Sequence, residues 1–306
     1  MKILVATEKP FAAEAVQKMK QVVDNAGFEF LLLEKYTGKP QLLDAVKEAN
    51  AIIIRSDIID AEVLEAAVNL KIVVRAGAGY DNVDLSAATA RKVAVMNTPG
   101  QNANAVAELA LALMVYAARN FFDGSSGSEL SGKKLGVHAY GNVGRNVARI
   151  AKGFGMDIYA YDAFYPAEAI EKDGVKALTS AEELYKTCRY VSLHIPATAE
   201  TKNAINCALL EKMPEKAVLV NTARREVIDE AGLVKLMEKR PDFKYLTDIM
   251  PGNDAEMKEK FPKRYFSTPK KMGAQTSEAN NNAGVAAANQ IVDFFKTGNT
   301  KFQVNG

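Results

Sequence analysis

The segment KKLGVHAYGNVGRNVARIAKGFGMDIYAYD, residues 133–162, decides the fold of this chain. It starts with an apolar strand candidate at 133–138 and ends with another at 157–161. Between them lie a turn that contains Gly141 and Gly144 and then a stretch of helical periodicity. A strand, a glycine-rich turn, a helix and a second strand in this order are typical of a parallel βαβ unit.

The same alternation of strand and helix extends through the chain in both directions. Short runs rich in Val and Ile recur, and segments of helical periodicity lie between them. The strand candidates are 2–6, 28–33, 51–55, 71–75, 93–96, 133–138, 157–161, 190–195, 217–221 and 243–248. The clearest helix candidates are 11–25, 59–68, 103–119, 145–154 and 277–297. We therefore predict an α/β protein with two doubly wound parallel sheets, one in each of two domains.

The composition is that of an ordinary globular protein. With 306 residues, and about 150 residues per domain, the length predicts two domains. Apolar residues make up 48% and charged residues 25% of the chain, which argues against disorder. The 39 Lys and Arg residues nearly balance the 37 Asp and Glu residues, so charge gives no reason to expect a nucleic-acid or membrane partner. Cys188 and Cys207 are too few for a disulfide framework or a paired-cysteine metal site, and no metal is predicted.

No segment predicts export or membrane insertion. Only four apolar residues, 3–6, precede Thr7 and Glu8, fewer than the ~7–15 of a signal-peptide core. The most apolar stretch, 109–118, has ten residues, whereas a membrane span needs ~20. We therefore expect a cytoplasmic protein, and a reducing compartment fits its two cysteines.

The turn after the strand at 133–138 predicts a dinucleotide site. Gly141 lets the backbone approach a pyrophosphate and Gly144 lets helix and strand pack closely, while the first glycine of the usual pattern is replaced by Ala139. Amide groups at the start of the helix, at Asn142 and Val143, would face the negative charge.

An acidic residue follows this turn at the spacing expected for a ribose ligand. Asp162 ends the strand at 157–161, where a carboxylate can accept both ribose hydroxyls of NAD. The carboxylate would repel a 2′-phosphate, and the next two residues, Ala163 and Phe164, offer no arginine to receive one. NAD is therefore predicted in preference to NADP.

Motifs outside this segment resemble the D-2-hydroxyacid dehydrogenase family. They cover nearly the whole chain in the family's order: a substrate loop, the hinge and the first cofactor-domain helix, an arginine segment, and the segment that usually carries the catalytic histidine. In this sequence they are VRAGAGYDNVD at 74–84, NTP at 97–99, AEL at 107–109, NTAR at 221–224, TP at 268–269 and GAQT at 273–276.

The resemblance implies a domain organisation that agrees with the strand pattern. A flavodoxin-like substrate domain would comprise residues 1–98 and 288–306, and a Rossmann NAD domain, residues 99–287, would be inserted between them. Pro99 and Gly100 mark the first boundary, because these residues interrupt regular structure. Family members work as homodimers that use the long helix at 103–119, although its apolar sequence also fits a core helix. No residues remain for an additional regulatory domain, so feedback through one is not expected.

The resemblance places the chemistry on an arginine and a lysine. Arg224 would hold the substrate carboxylate and polarise the carbonyl. The family's histidine and its glutamate partner are both missing. Asn253 occupies the glutamate position, and Lys271 occupies the histidine position when counted back from Gly273, whereas counting forward from 268–269 selects Lys270.

We prefer Lys271 as the general acid/base. A lysine pKa starts at ~10.4 and must fall before the amine can act as a base near neutral pH, so a neighbouring glutamate would oppose its function. We expect burial and the charge of Arg224 to lower this pKa, with Asn253 remaining neutral. Of the two histidines, His138 is predicted to pack in the core, and His194 either lines the cofactor site or has a structural role.

The remaining predicted site residues follow from the same motifs. The 77–79 turn would present amide groups to the substrate carboxylate with Asn82 as a further donor, and cations at strand ends would bind a phosphate. The predicted cofactor-binding residues are Ala78, Asn102, Gly141, Asn142, Val143, Gly144, Asp162, His194, Pro196, Thr222, Ala223, Asp248, Gly273 and Ala274. The predicted substrate-binding residues are Arg55, Ser56, Arg75, Gly77, Ala78, Gly79 and Asn82, and Lys9 is a weaker candidate.

The chain most resembles short family members that oxidise D-3-phosphoglycerate to 3-phosphohydroxypyruvate, which begins serine biosynthesis. Its predicted partner is thus a small phosphorylated 2-hydroxy or 2-keto acid. Two alternatives remain open: a glyoxylate/hydroxypyruvate reductase of the same family, and a non-catalytic NAD sensor similar to the family's transcriptional corepressors. The missing histidine and glutamate favour the sensor, whereas Arg224 and the substrate loop at 74–84 argue against it.

Overall fold

The computed structural model describes all residues from 1 to 306, and contacts divide them into two units. The first unit comprises Met1–Asn102 and Thr276–Gly306, and the second comprises Ala103–Gln275. The sequence analysis placed the boundaries after residues 98 and 287 instead. The second boundary differs because the long C-terminal helix packs entirely within the first unit. The assignment of substrate and cofactor binding to separate units stays a prediction.

Strands and helices alternate along most of the chain, as expected for parallel sheets. The elements are β1 (Lys2–Thr7), α1 (Ala13–Asn25), β2 (Glu29–Glu34), α2 (Lys39–Ala45), β3 (Ala51–Ile54), α3 (Ala61–Ala66), β4 (Ile72–Arg75), α4 (Leu85–Ala90), β5 (Ala94–Asn97), α5 (Ala103–Ala118), β6 (Lys134–His138), α6 (Asn142–Gly153), β7 (Asp157–Tyr161), α7 (Ala167–Lys172), β8 (Lys176–Ala177), α8 (Ala181–Thr187), β9 (Tyr190–Leu193), α9 (Cys207–Leu210), β10 (Val218–Asn221), α10 (Glu230–Lys239), β11 (Lys244–Thr247), α11 (Asp254–Lys260), β12 (Tyr265–Ser267) and α12 (Ser277–Thr297).

The first unit contains a five-stranded parallel sheet of order β2-β1-β3-β4-β5. This is the flavodoxin-like order that the sequence analysis predicted. Helices α1 and α12 pack against each other, and Met19 and Ile291 of these helices share a buried cluster with the strand residues Ile3, Ile53 and Val74. The continuous apolar sequence of β3 reflects burial on both faces of the sheet.

The second unit contains a seven-stranded parallel sheet of order β12-β11-β10-β9-β6-β7-β8. The order reverses beside β6, since β7 lies on one side of it and β9 on the other. In open α/β sheets such a switch point is where ligands bind, at the carboxyl ends of the strands. Helix α5 covers one face of this sheet and packs against α6 through Ala107, Ala110, Leu111 and Met114, which are buried.

The predicted α/β class with two doubly wound sheets is confirmed, and each predicted strand is present to within two residues at each end. Strands β8 and β12 were not predicted, because two or three residues are too few to show a period. Helix α6 begins at Asn142 rather than Arg145, because Gly144 lies inside the helix instead of preceding it. No helix is long and apolar enough to cross a membrane.

Candidate cofactor and catalytic site

The glycine turn after β6 has the geometry of an anion-binding helix start. Gly141 has extended backbone and precedes the twelve-residue helix α6, so the first amides of that helix have no partner within it. A Cβ atom on Gly144 would lie 2.3 Å from the Ala139 carbonyl oxygen and 2.9 Å from Val137 Cγ1. Only glycine therefore allows this contact between helix and strand. Ala139 itself has a φ of 76°, in the left-handed region that favours glycine.

Asp162 is held firmly at the end of β7. Its Oδ2 accepts a hydrogen bond from the Tyr140 amide at 2.6 Å, and its Oδ1 accepts from the amides of Phe164 and Tyr165 at 2.8 and 2.9 Å. A carboxylate has about four acceptor positions, so roughly one is left for a ligand. This differs from the expectation that Asp162 accepts both ribose hydroxyls. The carboxylate can accept one hydroxyl while its charge still opposes a 2′-phosphate.

Four buried polar atoms at the carboxyl ends of β9, β10 and β11 have no hydrogen-bond partner. A buried polar atom without a partner costs about 1–3 kcal/mol, so such a group of atoms indicates a place that a ligand completes. Three of the residues were predicted to bind the cofactor. Ser192 was not, although a lone serine in an apolar strand could have signalled it. The atoms are Ser192 Oγ, His194 Nε2, Thr222 Oγ1 and Asp248 Oδ1.

The turn after β10 presents Arg224 at the same edge of the sheet. Asn221 shapes this turn, because its Oδ1 accepts from the Ala223 amide at 3.0 Å and its Nδ2 donates to the Arg224 carbonyl at 2.9 Å. The Arg224 guanidinium is half-buried and donates one hydrogen bond, from Nη1 to the Ala223 carbonyl. Most of its donors are therefore available to a carboxylate. Arg225 is exposed.

Asp248 ties the predicted acid/base segment to the end of β11. Its Oδ2 accepts from the Gly273 amide at 2.6 Å and from the Met272 amide at 3.2 Å. Burial raises the pKa of Asp248, while these amides and the positive charge of Lys271 act to lower it. Lys271 thus lies within electrostatic reach of a buried carboxylate. Lys270 contributes its carbonyl to a local turn, where it accepts from the Thr268 hydroxyl.

The surroundings of Lys271 differ from the expectation in two respects. The residue is exposed, so the burial that was expected to lower its pKa is absent from this structure. A carboxylate is also close by, because Asp248 accepts from the Gly273 amide two residues after Lys271. Asn253 precedes α11 and makes no capping hydrogen bond with its side chain. Exposure and a nearby carboxylate are thus the two features of this environment that the sequence did not predict.

Both histidines lie at the carboxyl ends of adjacent strands. The His194 amide donates to the His138 carbonyl at 2.9 Å, and His138 Nδ1 lies 3.2 Å from the Tyr185 hydroxyl. Burial lowers the pKa of His138 to about 4. Burial and the neighbouring His138 lower the pKa of His194 to about 3. Both rings are therefore neutral near pH 7, and His138 is buried as the sequence analysis expected.

In the predicted substrate loop of the first unit, one backbone amide is already hydrogen-bonded within the loop. The Gly77 amide donates to the Arg75 carbonyl at 2.8 Å, so it is not available to a substrate, contrary to expectation. A Cβ atom on Gly77 would lie 1.5 Å from Arg75 Nη1, which explains the glycine. The amides of Ala78 and Gly79 form no hydrogen bonds and can still receive a carboxylate.

Asn82 and Arg55 are also engaged within the first unit. Asn82 Nδ2 donates to the carbonyls of Asp57 and Arg55 at 2.6 and 3.3 Å, so the expected donation to substrate does not occur in this geometry. Arg55 donates to the carbonyls of Lys9 and Pro10 and to Asn280 Oδ1, which leaves two N–H groups for a phosphate. Arg75 Nε donates to the Arg55 carbonyl. Ser56 is exposed.

The other predicted residues lie at the ends of the same segments. Asn102 is the last residue of the first unit, Ala274 is half-buried beside Gly273, and Pro196 is exposed, with its carbonyl accepting from the Thr201 hydroxyl. No group of three or more His, Cys, Asp or Glu side chains could hold a metal ion. The donor set of this edge, with helix-start amides, an anchored Asp162 and unpartnered buried oxygens, fits a dinucleotide.

Comparison with known proteins identifies the family. Residues 103–270 match the D-isomer specific 2-hydroxyacid dehydrogenase, NAD binding domain. The D-3-phosphoglycerate dehydrogenase of Methanocaldococcus jannaschii is 33% identical over 95% of this chain, and the hydroxypyruvate reductase of Thermotoga maritima is 33% identical over 86% of it. The chain covers 57% of the first of these relatives and 90% of the second.

A solved structure is similar over the entire chain. The NAD⁺-bound 3-phosphoglycerate dehydrogenase of Entamoeba histolytica is 46% identical, has a TM-score of 0.90, and is matched over 100% of this chain and 99% of its own. The family match covers more than half of the residues and coincides with the sheet that carries the glycine turn. The chain therefore belongs to the D-2-hydroxyacid dehydrogenases, a family of enzymes that use NAD.

Proposed function

We propose that this enzyme oxidises D-3-phosphoglycerate to 3-phosphohydroxypyruvate with NAD⁺. The observation that carries the proposal is the similarity over the whole chain to a 3-phosphoglycerate dehydrogenase at 46% identity. The curated relatives of the same name support it, although the chain spans only 57–58% of the length of the first two.

The second unit would hold the cofactor. The first amides of α6 would bind the pyrophosphate, Asp162 one ribose hydroxyl, and the unpartnered oxygens of Thr222 and Asp248 the remainder of the dinucleotide. The bound nicotinamide supplies the hydride acceptor. Protein residues have the other tasks, which are to hold the carboxylate and to move the hydroxyl proton.

Arg224 would hold the substrate at the reacting end. A guanidinium with most of its donors unused can bind a carboxylate through two parallel hydrogen bonds, and it also stabilises the negative charge that develops on the reacting oxygen. The turn that carries it is fixed by Asn221 on both sides, so little ordering is needed when substrate binds.

Lys271 would exchange the proton with the substrate oxygen. As an exposed amine beside a carboxylate, it can donate a proton when the 2-keto acid is reduced. For the oxidation the neutral amine accepts the hydroxyl proton. In the first unit the amides of Ala78 and Gly79 would bind the carboxylate, and Arg55, Ser56 and Arg75 would contribute to phosphate binding.

A second candidate is reduction of the unphosphorylated hydroxypyruvate. The relative from Thermotoga maritima has that name and is covered over 90% of its length. The engagement of Arg55 by three protein oxygens also weakens the argument for a phosphate there. We rank this function second because the similarity to the Entamoeba histolytica enzyme is higher.

The test compares NADH oxidation with 3-phosphohydroxypyruvate and with hydroxypyruvate. We expect kcat/KM to favour the phosphorylated substrate by about 100-fold or more, the size of a paired charge contact of roughly 3 kcal/mol. A preference for hydroxypyruvate would select the second candidate. No turnover with any 2-keto acid between pH 7 and 10, together with tight NADH binding, would select a non-catalytic sensor instead.

The same assay tests the assignment of the acid/base. Lys271→Ala should lower kcat by about 10²–10⁴-fold, and Lys270→Ala, its matched neighbour, by no more than a few-fold. The reverse result would assign the role to Lys270. In Lys271→His, the pH dependence of the oxidation should move towards the pKa of a histidine, ~6.5.

We also propose that the enzyme is a homodimer that uses α5. Its exposed residues Asn104, Glu108 and Ala112 recur at a helical spacing on the side opposite the buried residues. Sedimentation equilibrium should give twice the chain mass of 33.2 kDa. A monomer at micromolar concentration would contradict this proposal.

A further inference from the structure

We propose that the second unit has an anion site at the edge of its sheet opposite the cofactor residues, and that this site binds a tetrahedral dianion of the phosphate class. The site is a cavity of about 410 Å³ at the amino ends of β9, β10 and β11, which are neighbours in the sheet. Its volume is within the range of small-molecule sites. The residues that bind the cofactor lie at the carboxyl ends of the strands and do not line it.

Three neighbouring strands each bring one cation to this cavity. Arg189 immediately precedes β9, Lys216 lies two residues before β10, and Lys244 is the first residue of β11. Three positive charges around one cavity repel one another, and a bound anion would relieve that repulsion. Burial and the charge of Arg189 both lower the pKa of Lys244, with Asp123 opposing them.

The acidic residue in the lining does not neutralise these cations. Asp242 is the only carboxylate that lines the cavity, and both of its oxygens are bonded by Arg240, at 2.6 and 3.3 Å. Its Oδ2 also accepts from the Lys216 amide. The charge of Asp242 is therefore offset by Arg240, which does not line the cavity. The three lining cations keep their net positive charge.

Donors in the cavity remain unused by the protein. Arg189 donates only from Nε, to the Lys216 carbonyl, so neither of its terminal nitrogens has a hydrogen-bond partner. The Lys216 ammonium is exposed and makes no ion pair or hydrogen bond. Lys244 uses two of its three protons, on the Ala117 carbonyl and on Asn120 Oδ1. A phosphate oxygen can thus be reached by guanidinium and ammonium groups together, as in other phosphate sites.

Tyr190 brings a buried hydroxyl to the lining of the cavity. The residue is fully buried, lines the cavity, and has a hydroxyl without a hydrogen-bond partner of normal geometry. The side chain of Ser128, another lining residue, is its polar neighbour. Two hydroxyls beside unused cations suit a phosphate better than a chloride ion, because a phosphate has oxygens that accept hydrogen bonds in fixed directions and chloride has no such preference.

A second basic cavity, along α6, lacks these properties. Its three cations already donate within the protein: Arg145 to Asn142, Arg149 to Asn104 and Asn146, and Lys152 to the Asp173 carbonyl. Asp173 also lines that cavity and accepts from Tyr140, so an anion would meet a carboxylate there. The cavity at the amino ends of the strands is therefore the better anion site.

The experiment measures phosphate binding by calorimetry and by the melting temperature, in NAD⁺-saturated enzyme so that the pyrophosphate cradle is occupied. Inorganic phosphate should bind in a manner that depends on Lys216 and should raise the melting temperature, whereas chloride at equal ionic strength should not. Lys216→Met should weaken phosphate binding about tenfold, the effect of losing one charge-assisted hydrogen bond. Lys235→Met, an exposed lysine outside the cavity, should leave phosphate binding unchanged.

Further measurements distinguish the possible sources of the anion and test the alternatives to an anion site. Binding of glycerol phosphate with the same dependence on Lys216 would indicate a phosphomonoester ligand, and binding of inorganic phosphate alone would indicate the free ion. Arg189→Gln should weaken phosphate binding further. The shift of the melting temperature caused by phosphate is compared within each variant, so a lower melting temperature of the variant itself does not affect the result. Equal binding in wild type and Lys216→Met would overturn the proposal. So would a change of oligomeric state in Lys216→Met without any effect of phosphate, because the cavity would then be a protein interface.

Discussion

The polar side chains at the predicted substrate loop are hydrogen-bonded within the protein, whereas several at the predicted cofactor edge, the carboxyl ends of β9, β10 and β11, are not. In the first unit, Arg55 and Asn82 donate to the backbone and side chains of their own unit. In the second unit, buried atoms of Thr222, Asp248 and His194 have no partner. Buried polar groups without partners are costly, so a ligand would stabilise the second edge, whereas Arg55 and Asn82 already have hydrogen-bond partners without one.

This difference separates stability from binding. Where a side chain already donates hydrogen bonds within the protein, removing that side chain should lower the free energy of unfolding. A ligand can then bind only to the donors that are still unused. Where acceptors are unused, removing a side chain should leave stability nearly unchanged and weaken ligand binding. The predictions on Arg224 and Arg55 and on Asn82 and Thr222 test this contrast directly, and those on the histidines and Ala139 test the surroundings of the second edge.

The largest expected effect comes from the two arginines. Arg224→Gln should lower kcat/KM by about 10³-fold with little change in stability, because its guanidinium makes one local hydrogen bond. Arg55→Gln should lower the free energy of unfolding by about 2 kcal/mol, because three hydrogen bonds are lost. Steady-state kinetics and urea unfolding measure both. A rise of 100-fold in KM for the phosphorylated substrate alone in Arg55→Gln would show that Arg55 exchanges its partners for substrate.

The two histidines make the second unit sensitive to acid. Their pKa values in the folded state, about 4 for His138 and about 3 for His194, are below that of an unfolded histidine, so the unfolded chain binds more protons below pH 6.5. Their contribution is therefore complete above pH 6.5 and is lost as pH falls towards 4.

Between pH 7 and 5 each histidine should reduce the free energy of unfolding by about 2 kcal/mol. Denaturant unfolding at the two pH values measures this, and His138→Gln should remove about half of the dependence. A pH dependence that is the same in wild type and His138→Gln would mean that the ring is solvated in solution.

A matched pair of substitutions compares the two edges at the level of single hydrogen bonds. Asn82→Ala should destabilise the protein by about 1–3 kcal/mol, because the Asp57 carbonyl loses its donor and the Arg55 carbonyl loses one of its two. Thr222→Val removes only an unpartnered hydroxyl, so stability should be unchanged or higher by about 1 kcal/mol. NADH fluorescence titration should show weaker binding only for Thr222→Val. Unchanged NADH affinity would mean that this hydroxyl does not contact the cofactor.

The smallest effect is expected at the glycine turn. Ala139 has a φ of 76°, and Ala139→Gly should relieve this strain and stabilise the protein by about 1 kcal/mol. Gly144→Ala is the control, because its Cβ atom would meet the Ala139 carbonyl at 2.3 Å and should destabilise the turn instead. Thermal unfolding measures both variants. A destabilising Ala139→Gly would show that the alanine methyl contributes packing that outweighs its backbone strain.

The site was only partly predictable from the motifs. Local turns were predicted well, because the glycine turn at 139–144 and the turn that carries Arg224 both depend on short segments at strand ends. The environment of Lys271 was not predicted. Its exposure and its charged neighbour Asp248 depend on how β11 and the segment after β12 come together, which no local pattern encodes.

The sequence by itself determined the class of fold, the order of strands and helices and the place of the glycine turn, because hydrophobic periods and turn residues act over short distances along the chain. The tertiary structure alone decided which polar groups are free. Arg55 donates to Asn280, which is 225 residues away in the sequence. The three cations of the cavity at the amino ends of β9, β10 and β11 come together only because these strands, which are separated in the sequence, are neighbours in the sheet. Hydrogen-bond capacity is a non-local property, since every partner that a side chain gains in the folded protein is one it cannot offer to a ligand.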